Sequence, residues 1–340
     1  MKPFPWHAST LARAMSDREH LPHALLVHGP AGIGKERFAK ALAAAALCES
    51  PVAGLACGKC PSCHWLEQGN HPDFREIVPE AAGEEDEGGE GEAGRTDKDK
   101  PKSVVIKVEQ IRAVADFVGL TTHRAGYRVL LLHPAEALHP AAANALLKTL
   151  EEPPPRTLIV LVSDRPARLL ATIRSRCRRL PLAAPPRQDA LAWLRAEGVA
   201  DAEAALAAAG GAPLLAQRLA EPEEAKFRTR LLAELARPGG ADALQLAAGV
   251  DRGSVERLVF WLQTWVEDLV RVKLAGSARR HGQLAAALQA RARSSDLEAL
   301  FALDDELAAA RGLASHPLNA RLLAEHLLMA YNRTTNGARS

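Results

Sequence analysis

The segment HGPAGIGKERF, residues 28–38, has the spacing of a loop that binds phosphate. Loops with the pattern G-x-x-x-x-G-K surround phosphate groups with backbone N–H donors, and their lysine reaches the outer phosphates. The position after the lysine normally carries Ser or Thr, whose hydroxyl holds Mg²⁺, but here it is Glu36. The segment therefore indicates a degenerate P-loop, whose candidate nucleotide-binding residues are Gly29, Gly32, Gly34 and Lys35.

The strand RVLLLH lacks the acidic residues that ATP hydrolysis needs at its end. Hydrolysis requires one carboxylate to hold Mg²⁺ and a second to polarise water. Here the strand ends in His133 and Pro134, and Glu136 follows two residues later, displaced unless a loop brings it closer. We therefore expect that the chain does not hydrolyse ATP, and Lys35 leaves weak nucleotide binding open as the alternative to none.

A second candidate site is the segment CESPVAGLACGKCPSCHW, whose four thiols are Cys48, Cys57, Cys60 and Cys63. Tetrahedral zinc takes four thiolates, and C-x2-C turns let two sulfurs converge on one ion. The alternative is a redox dithiol, which needs only one C-x-x-C pair. We predict a structural zinc site with no position open to water. We interpret His64 and His71 as loop residues and Cys177 as a buried small side chain.

A run of arginines follows this, consisting of Arg165, Arg168, Arg174, Arg176, Arg178 and Arg179. Most charge runs are solvated faces, and that interpretation applies to the run as a whole. Arg176, however, lies in the triplet SRC, which closes a helix just before a strand. That place puts Arg176 at the edge of the domain, where it can be presented to a nucleotide held by a neighbouring subunit.

The elements that position these residues alternate between strands and helices. Five apolar runs predict strands, namely ALLVHG, FREIV, RVLLLH, TLIVLVS and CRRLPL. Helical patterns separate them near residues 35–47, 108–118, 140–151 and 167–174. Buried strands spaced by helices predict an α/β fold with a doubly wound parallel sheet. The P-loop follows the first clear strand and opens a helix, which is the context that the motif requires.

Domain boundaries follow from changes in composition. The prolines in LAAPPRQDALAW mark the end of the sheet domain, 1–184. The Ala- and Leu-rich text beyond predicts a small helical lid over 185–225 and an all-helical domain over 226–335. In the helix SVERLVFWLQTWVEDLV we interpret Trp261 and Trp265 as core residues. Its apolar face consists of Val255, Leu258, Val259, Leu262, Val266 and Leu269.

The composition sets further bounds on the class of protein. The chain has 340 residues, of which 47% are hydrophobic and 25% charged, as expected of a soluble protein with two or three domains. No run of 18 apolar residues or signal sequence is present, so we expect a cytoplasmic protein without a membrane partner. The acidic segment 81–102 has almost no apolar residue and is predicted to be a disordered loop. The remainder is mildly basic, which permits a nucleic-acid partner without requiring one.

Several of these motifs occur together in one known family. The stretch 139–182, with NALLKTLEEPP and SRC, resembles the clamp-loader subunits of bacterial DNA polymerase III. The segments HALLVHGPAGIGK, HPDF and LNARLLAEHLL and the four cysteines extend the resemblance over nearly the whole chain. The motor type of this family, gamma or tau, keeps Thr or Ser after the loop lysine and an Asp-Glu pair on the second strand. With Glu36, His133 and Pro134 in those places, the chain resembles the delta-prime type.

This resemblance implies an AAA+ sheet domain, a small helical lid and a helical collar that joins five subunits in a ring. The implied partners are the gamma or tau motor subunits, the delta subunit, the sliding clamp and primed DNA. It implies that Arg176 is an arginine finger for the ATP of an adjacent motor subunit and that the four cysteines are zinc ligands. The chain would then be a non-catalytic part of the DNA-directed DNA polymerase III holoenzyme, a nucleotidyltransferase assembly acting in DNA replication. Lys148 is a candidate to face DNA, against the alternative of a solvated lysine, and the acidic loop departs from the family pattern.

Two other functions remain open at this point. An active gamma- or tau-like ATPase would show DNA-stimulated ATP turnover in the purified chain. A zinc-containing nucleic-acid-binding protein that acts alone would show salt-dependent DNA affinity. Neither alternative explains an intact SRC triplet beside a P-loop without its metal ligands.

Overall fold

The computed structural model describes residues 2–82, 103–119, 126–313 and 319–336. The chain divides into two compact units, Met1–Pro186 and Arg187–Ser340. The predicted disordered loop 81–102 lies outside the described residues except for its first two, which end a short 3-10 turn.

The first unit contains a five-stranded parallel sheet, which confirms the predicted doubly wound α/β fold. Its strands are β1 (Ala24–His28), β2 (Phe74–Ile77), β3 (Arg128–Leu132), β4 (Thr157–Ser163) and β5 (Arg178–Pro181). They lie in the order β2-β3-β4-β1-β5, and every pair of neighbours is parallel. This order places the end of β1, where the P-loop begins, between the ends of β4 and β5.

Among the described residues of this unit, six α-helices accompany the sheet: α1 (Ala8–Ala14), α2 (Lys35–Leu47), α3 (Pro61–Glu67), α4 (Val108–Gly119), α5 (Pro140–Glu151) and α6 (Ala171–Arg176). The predicted start of the helix at 167–174 is wrong, because α6 begins four residues later. Pro166–Arg168 forms a 3-10 turn instead, and Leu170, the residue before α6, has an extended ψ of 137°.

The core of the first unit explains why the central strands are uniformly apolar. Every residue of β3 and of β4 is buried. Helices cover a parallel sheet on both faces, so the side chains on both faces of these strands are removed from water. The helix α2 is rich in alanine, and small side chains let it pack closely against β3 and β4. The sheet thus forms a rigid base for the loops at its carboxyl end.

The second unit is helical throughout its described residues. Its helices are α7 (Arg187–Ala196), α8 (Ala202–Ala208), α9 (Pro213–Leu219), α10 (Pro222–Ala236), α11 (Ala243–Ala248), α12 (Arg252–Ala275), α13 (Ala285–Ser294), α14 (Leu297–Leu313) and α15 (Ala320–Thr335). The predicted boundary at 225 lies in the first turn of α10, and the division into lid and collar stays a prediction. In the described part of the chain, no helix is both long and apolar enough to cross a membrane.

The long helix α12 supplies the centre of this second unit. Trp261 and Trp265 are fully buried, together with the whole predicted apolar face of the helix. The indole N–H of Trp265 donates to the Tyr331 hydroxyl at 3.0 Å, and that hydroxyl donates to the Leu235 carbonyl at 2.7 Å. These bonds satisfy the polar groups of Trp265 and Tyr331. The burial of Trp261 and Trp265 confirms the prediction that both are core residues.

Candidate functional site

The P-loop joins β1 to α2 and depends on three glycines for its path. Gly32 and Gly34 have φ values of 75° and 91°, which side chains other than glycine rarely adopt. Gly29 has a different reason, because a Cβ there would lie 2.1 Å from the Leu182 carbonyl oxygen. The loop therefore packs directly on the backbone that follows β5. The spacing predicted a loop of this shape, but Gly29 is required here by packing.

Lys35, the loop lysine, is bound by groups of its own chain. Its side chain is only 3% exposed, and its Nζ lies 2.5 Å from the Asp164 Oδ1. The same Nζ donates to the Pro30 carbonyl. A buried ammonium is costly unless it is paired and hydrogen-bonded, and these two acceptors provide both. The charge that would meet a phosphate is therefore already neutralised.

Glu36 and His133, two of the three residues that depart from the motor pattern, contact each other. The Glu36 Oε2 lies 3.3 Å from the His133 Nε2, and its Oε1 lies 2.9 Å from the Lys40 Nζ. The His133 hydrogen bond, followed by that of Lys40, lowers the pKa of Glu36 to about 2. Lys40 also lies 3.1 Å from Glu76 on β2. The positions at which the motor type has metal ligands are thus in contact with each other, and Glu36 is also paired with Lys40.

Glu136 lies closer to the P-loop than its position after the strand suggested. It belongs to a 3-10 turn, Ala135–Ala137, and its Oε1 accepts a hydrogen bond from the Asp164 N–H at 3.0 Å. The turn therefore brings Glu136 beside the partner of Lys35. Asp164 was not among the residues predicted from the sequence, although its place gave a signal: it directly follows β4, the strand that pairs with β1. Carboxyl ends of neighbouring parallel strands meet at one edge of a sheet.

The four cysteines converge, as their spacing predicted. All four Sγ atoms lie within 4.8 Å of one another. The Cys48 and Cys60 Sγ atoms are 3.9 Å apart, and those of Cys57 and Cys63 are 4.0 Å apart. Four sulfurs at about 2.3 Å from one zinc ion would be about 3.8 Å apart, so the cluster has the dimensions of a four-thiolate site. These thiols can hold a metal ion, and among the described residues no other group of three or more His, Cys, Asp or Glu does so.

The backbone around the cluster supports thiolates. The Cys57 N–H donates to the Cys48 Sγ at 3.2 Å, and the N–H groups of Lys59 and Cys60 each donate to the Cys57 Sγ at 3.4 Å. The latter two bonds lower the pKa of Cys57 to about 6, whereas burial raises the pKa of Cys63 to about 12. An ion would favour the ionised form of all four thiols.

His64 and His71 do not join the cluster. His64 is exposed and its Nε2 contacts the Gln68 amide, while His71 is buried. The Asp73 N–H donates to the His71 Nδ1 at 3.0 Å, so the neutral ring carries its proton on Nε2 and donates to the Ser62 hydroxyl at 2.7 Å. That hydroxyl donates in turn to the Leu47 carbonyl. This chain of bonds ties α3 to the end of α2. Because the His71 ring donates to the Ser62 hydroxyl, it does not act as a base towards it.

Arg176 is the last residue of α6, and its contacts lie within this edge of the first unit. Its Nη1 donates to the Thr172 carbonyl at 3.0 Å and to the Ser175 hydroxyl at 3.4 Å, and its Nη2 lies 2.6 Å from the Glu151 Oε1. The side chain remains 35% exposed. None of these contacts involves the P-loop of the same chain, so a role towards another subunit stays compatible with the geometry.

The other basic candidates are distributed on the surface. Arg178 and Arg179 lie exposed on β5, and Lys148 lies exposed on α5. Nothing in their surroundings distinguishes Lys148 from a solvated lysine, and its predicted DNA contact stays a prediction. Cys177 is buried, and burial raises its pKa to about 11, as expected of a core thiol.

Comparison with known proteins shows that this chain is similar to subunits of DNA polymerase III. The protein-family model described as "DNA polymerase III, delta subunit" matches residues 7–186. The chain is 42% identical to DNA polymerase III subunit delta' of Pseudomonas aeruginosa over 220 residues, which are 64% of this chain and 61% of that protein. It is 33% identical to DNA polymerase III subunit delta' of Escherichia coli over 291 residues, which are 83% of this chain and 78% of that protein. A DNA polymerase III subunit gamma, of Buchnera aphidicola, is 32% identical over 173 residues, 51% of this chain and 41% of that protein.

Proposed function

Since this chain belongs to the family of DNA polymerase III delta' subunits, we propose that it is a non-catalytic subunit of the clamp loader. In this function it joins gamma or tau motor subunits and a delta subunit in a ring of five. The assembly opens the sliding clamp and places it on primed DNA during replication. This chain supplies Arg176 to ATP held by an adjacent motor subunit and does not hydrolyse ATP itself.

The observation that carries this proposal is the pairing of Glu36 with His133. In a working ATP site, both positions would serve Mg²⁺, which neutralises charge on the phosphates during transfer. Here they bind each other, and the carboxylate of Glu36 adds negative charge beside the loop. Lys35 is held by Asp164 in the same region. A nucleotide would have to displace these contacts and bind without the metal ligands, which supports a subunit that does not turn over ATP.

The chemistry of Arg176 supports its role as a donor to another subunit's nucleotide. A guanidinium stays charged at every physiological pH, and its planar fork matches two phosphate oxygens. Negative charge develops on those oxygens as the γ-phosphoryl group leaves, so an arginine aimed there stabilises the transition state more than the ground state. Arg176 can act in this way without any ATPase machinery of its own chain.

The four-thiol cluster is proposed to hold a structural zinc ion. Four soft ligands fill the tetrahedral coordination of zinc and leave no site for water or substrate. The ion would fix the polar connection between α2 and β2, which has few apolar residues of its own. This role is one of stability, separate from the contribution of Arg176.

The test of the proposed function is ATP turnover by the reconstituted assembly with Arg176→Ala. We expect the variant to fold, retain its metal and join the complex, while DNA-stimulated ATPase activity and clamp loading fall. An arginine finger contributes roughly 10³ to 10⁵ in rate at its own site in GTPases, and the loss for a ring with several sites is smaller.

The exposed arginines Arg178 and Arg179 provide the matched controls. If the run only forms a basic face for DNA, Arg178→Ala and Arg179→Ala will weaken DNA binding as much as Arg176→Ala and reduce its salt dependence alike. Unchanged ATP turnover with Arg176→Ala would refute the finger role. Metal-dependent ATP turnover by the purified chain, abolished by Lys35→Ala, would show instead that this subunit is an ATPase.

A further inference from the structure

The two motifs NALLKTLEEPP and SRC meet through a single ion pair. Glu151, the last residue of α5, places its Oε1 2.6 Å from the Nη2 of Arg176, the last residue of α6. The proposed function uses the arginine of SRC but gives no role to the glutamates of LEEPP. The contact between the two motifs suggests one.

Glu151 lies at the carboxyl end of α5, where a carboxylate is destabilised unless a positive charge is nearby. The carboxyl end of a helix carries a partial negative charge, which disfavours a carboxylate there. After Glu152 come three prolines at 153–155, which prevent α5 from continuing past this point. Glu151 is therefore kept at the negative end of its helix, where the guanidinium of Arg176 compensates its charge.

The contacts of Arg176 orient its side chain and still leave donors available. Arginine has five N–H donors, and the three contacts to Thr172, Ser175 and Glu151 use at most three of them. An unrestrained arginine side chain loses much rotamer freedom when it binds. Contacts that hold the guanidinium before binding reduce that loss and raise the effective concentration of the correct geometry.

We infer that Glu151 is a positioning residue for Arg176, which holds the guanidinium ready for a phosphate group of the neighbouring subunit. This inference rests on the proposed function, because it requires Arg176 to act on a nucleotide in the assembly. Glu151 itself touches neither nucleotide nor reacting atoms. Its effect on ATP turnover passes entirely through Arg176.

The test is a double-mutant cycle on DNA-stimulated ATP turnover by the complete reconstituted assembly. The variants are Glu151→Gln, Arg176→Ala and the two combined. Glu152→Gln is the matched control, since Glu152 is the adjacent exposed glutamate and makes no ion pair with the described residues. Glutamine keeps the size of the side chain and removes only its charge.

We expect Glu151→Gln to lower kcat about two- to fivefold, the range for a half-exposed charged pair. The KM for ATP should stay unchanged, because the finger contributes in the transition state. Adding Glu151→Gln to Arg176→Ala should have no further effect, and Glu152→Gln should behave as the unaltered chain. A merely structural role would instead lower turnover additively in the combined variant.

The outcomes separate this inference from the function on which it rests. If Arg176→Ala lowers turnover and Glu151→Gln does not, Glu151 has no positioning role and the finger role stands. An increase in turnover with Glu151→Gln would show a competitor for Arg176, which also overturns the inference. A further loss in the combined variant does the same. If Arg176→Ala itself has no effect, the proposed function fails, whatever Glu151→Gln does.

Discussion

The pairing of Lys35 with Asp164 predicts that a single substitution, Asp164→Asn, both destabilises the first unit and frees its P-loop lysine. In the unaltered chain the Lys35 Nζ has two acceptors, the Asp164 carboxylate and the Pro30 carbonyl. Asparagine keeps the shape of the side chain but removes its charge. The buried ammonium then retains the carbonyl and a neutral amide oxygen in place of a carboxylate.

The size of the effect follows from the distance and the exposure. At 2.5 Å and an effective dielectric constant of about 20, two unit charges attract by roughly 7 kcal/mol before desolvation is subtracted. The Asp164 side chain is 38% exposed, so solvent screens this attraction and Asp164 loses little hydration on folding. We expect a net loss of about 2 kcal/mol, within the usual range for hydrogen bonds to charged groups. For a unit of this size, that lowers Tm by about 4–8 °C.

The assay is thermal unfolding of the unaltered chain and of two variants, each with and without pyrophosphate. Lys35→Met combined with Asp164→Asn removes both charges and should be more stable than Asp164→Asn alone, because no unpaired buried cation remains. Pyrophosphate should raise Tm for Asp164→Asn, in which the lysine and the loop N–H groups can bind it. It should leave the unaltered chain and the double variant nearly unchanged.

Two results would refute this reasoning. If pyrophosphate stabilises the unaltered chain as much as Asp164→Asn, Asp164 does not compete with phosphate for Lys35. If Asp164→Asn and the double variant are equally stable, the lysine does not depend on the carboxylate for its place in the core.

Two further predictions concern the thiol cluster and a buried histidine. Metal analysis of the purified chain should find one zinc ion per molecule. The variant Cys60→Ser should lose the ion, and limited proteolysis should then cut the segment 48–71 more readily. Metal-free protein with the same protease resistance would contradict the zinc site. Burial lowers the pKa of His281 from 6.5 to about 4, although the charge of Asp268 opposes this shift. The free energy of unfolding of the second unit should therefore decrease by up to about 3 kcal/mol as the pH falls from 6.5 towards 4. Stability decreases on acidification because the unfolded chain binds this proton at a higher pH than the folded chain does. If the variant His281→Asn shows the same dependence of stability on pH, His281 is not the cause.

The parts of the fold that depend on local pattern could be predicted from the sequence. The strands β3 and β4 are continuous apolar runs, which only a sheet covered on both faces requires. The helix α6 was placed too early because its preceding turn, Pro166–Arg168, has no apolar periodicity to distinguish it. A residue pattern reports which faces are buried, and it locates the ends of short helices poorly.

The candidate site divides in the same way. The four cysteines were found because metal ligation requires their type and spacing together. The contacts of Asp164 with Lys35 and of Glu151 with Arg176 join residues that are separated in the chain, and the spacing of neither acid indicates its partner. Such pairs depend on strand order and helix packing, which become known only with the structure. The pairing of His133 with Glu36 has the same origin, although both residues had already been noted as departures.

The helix α2 is fastened at both of its ends. Its first turn is attached through Lys35 to the residue after β4 and through Glu36 to the residue after β3. At its other end, the Leu47 carbonyl accepts the Ser62 hydroxyl, and the next residue is Cys48 of the thiol cluster. Because both ends are held, α2 cannot shift along its axis or tilt without breaking contacts at one end or the other.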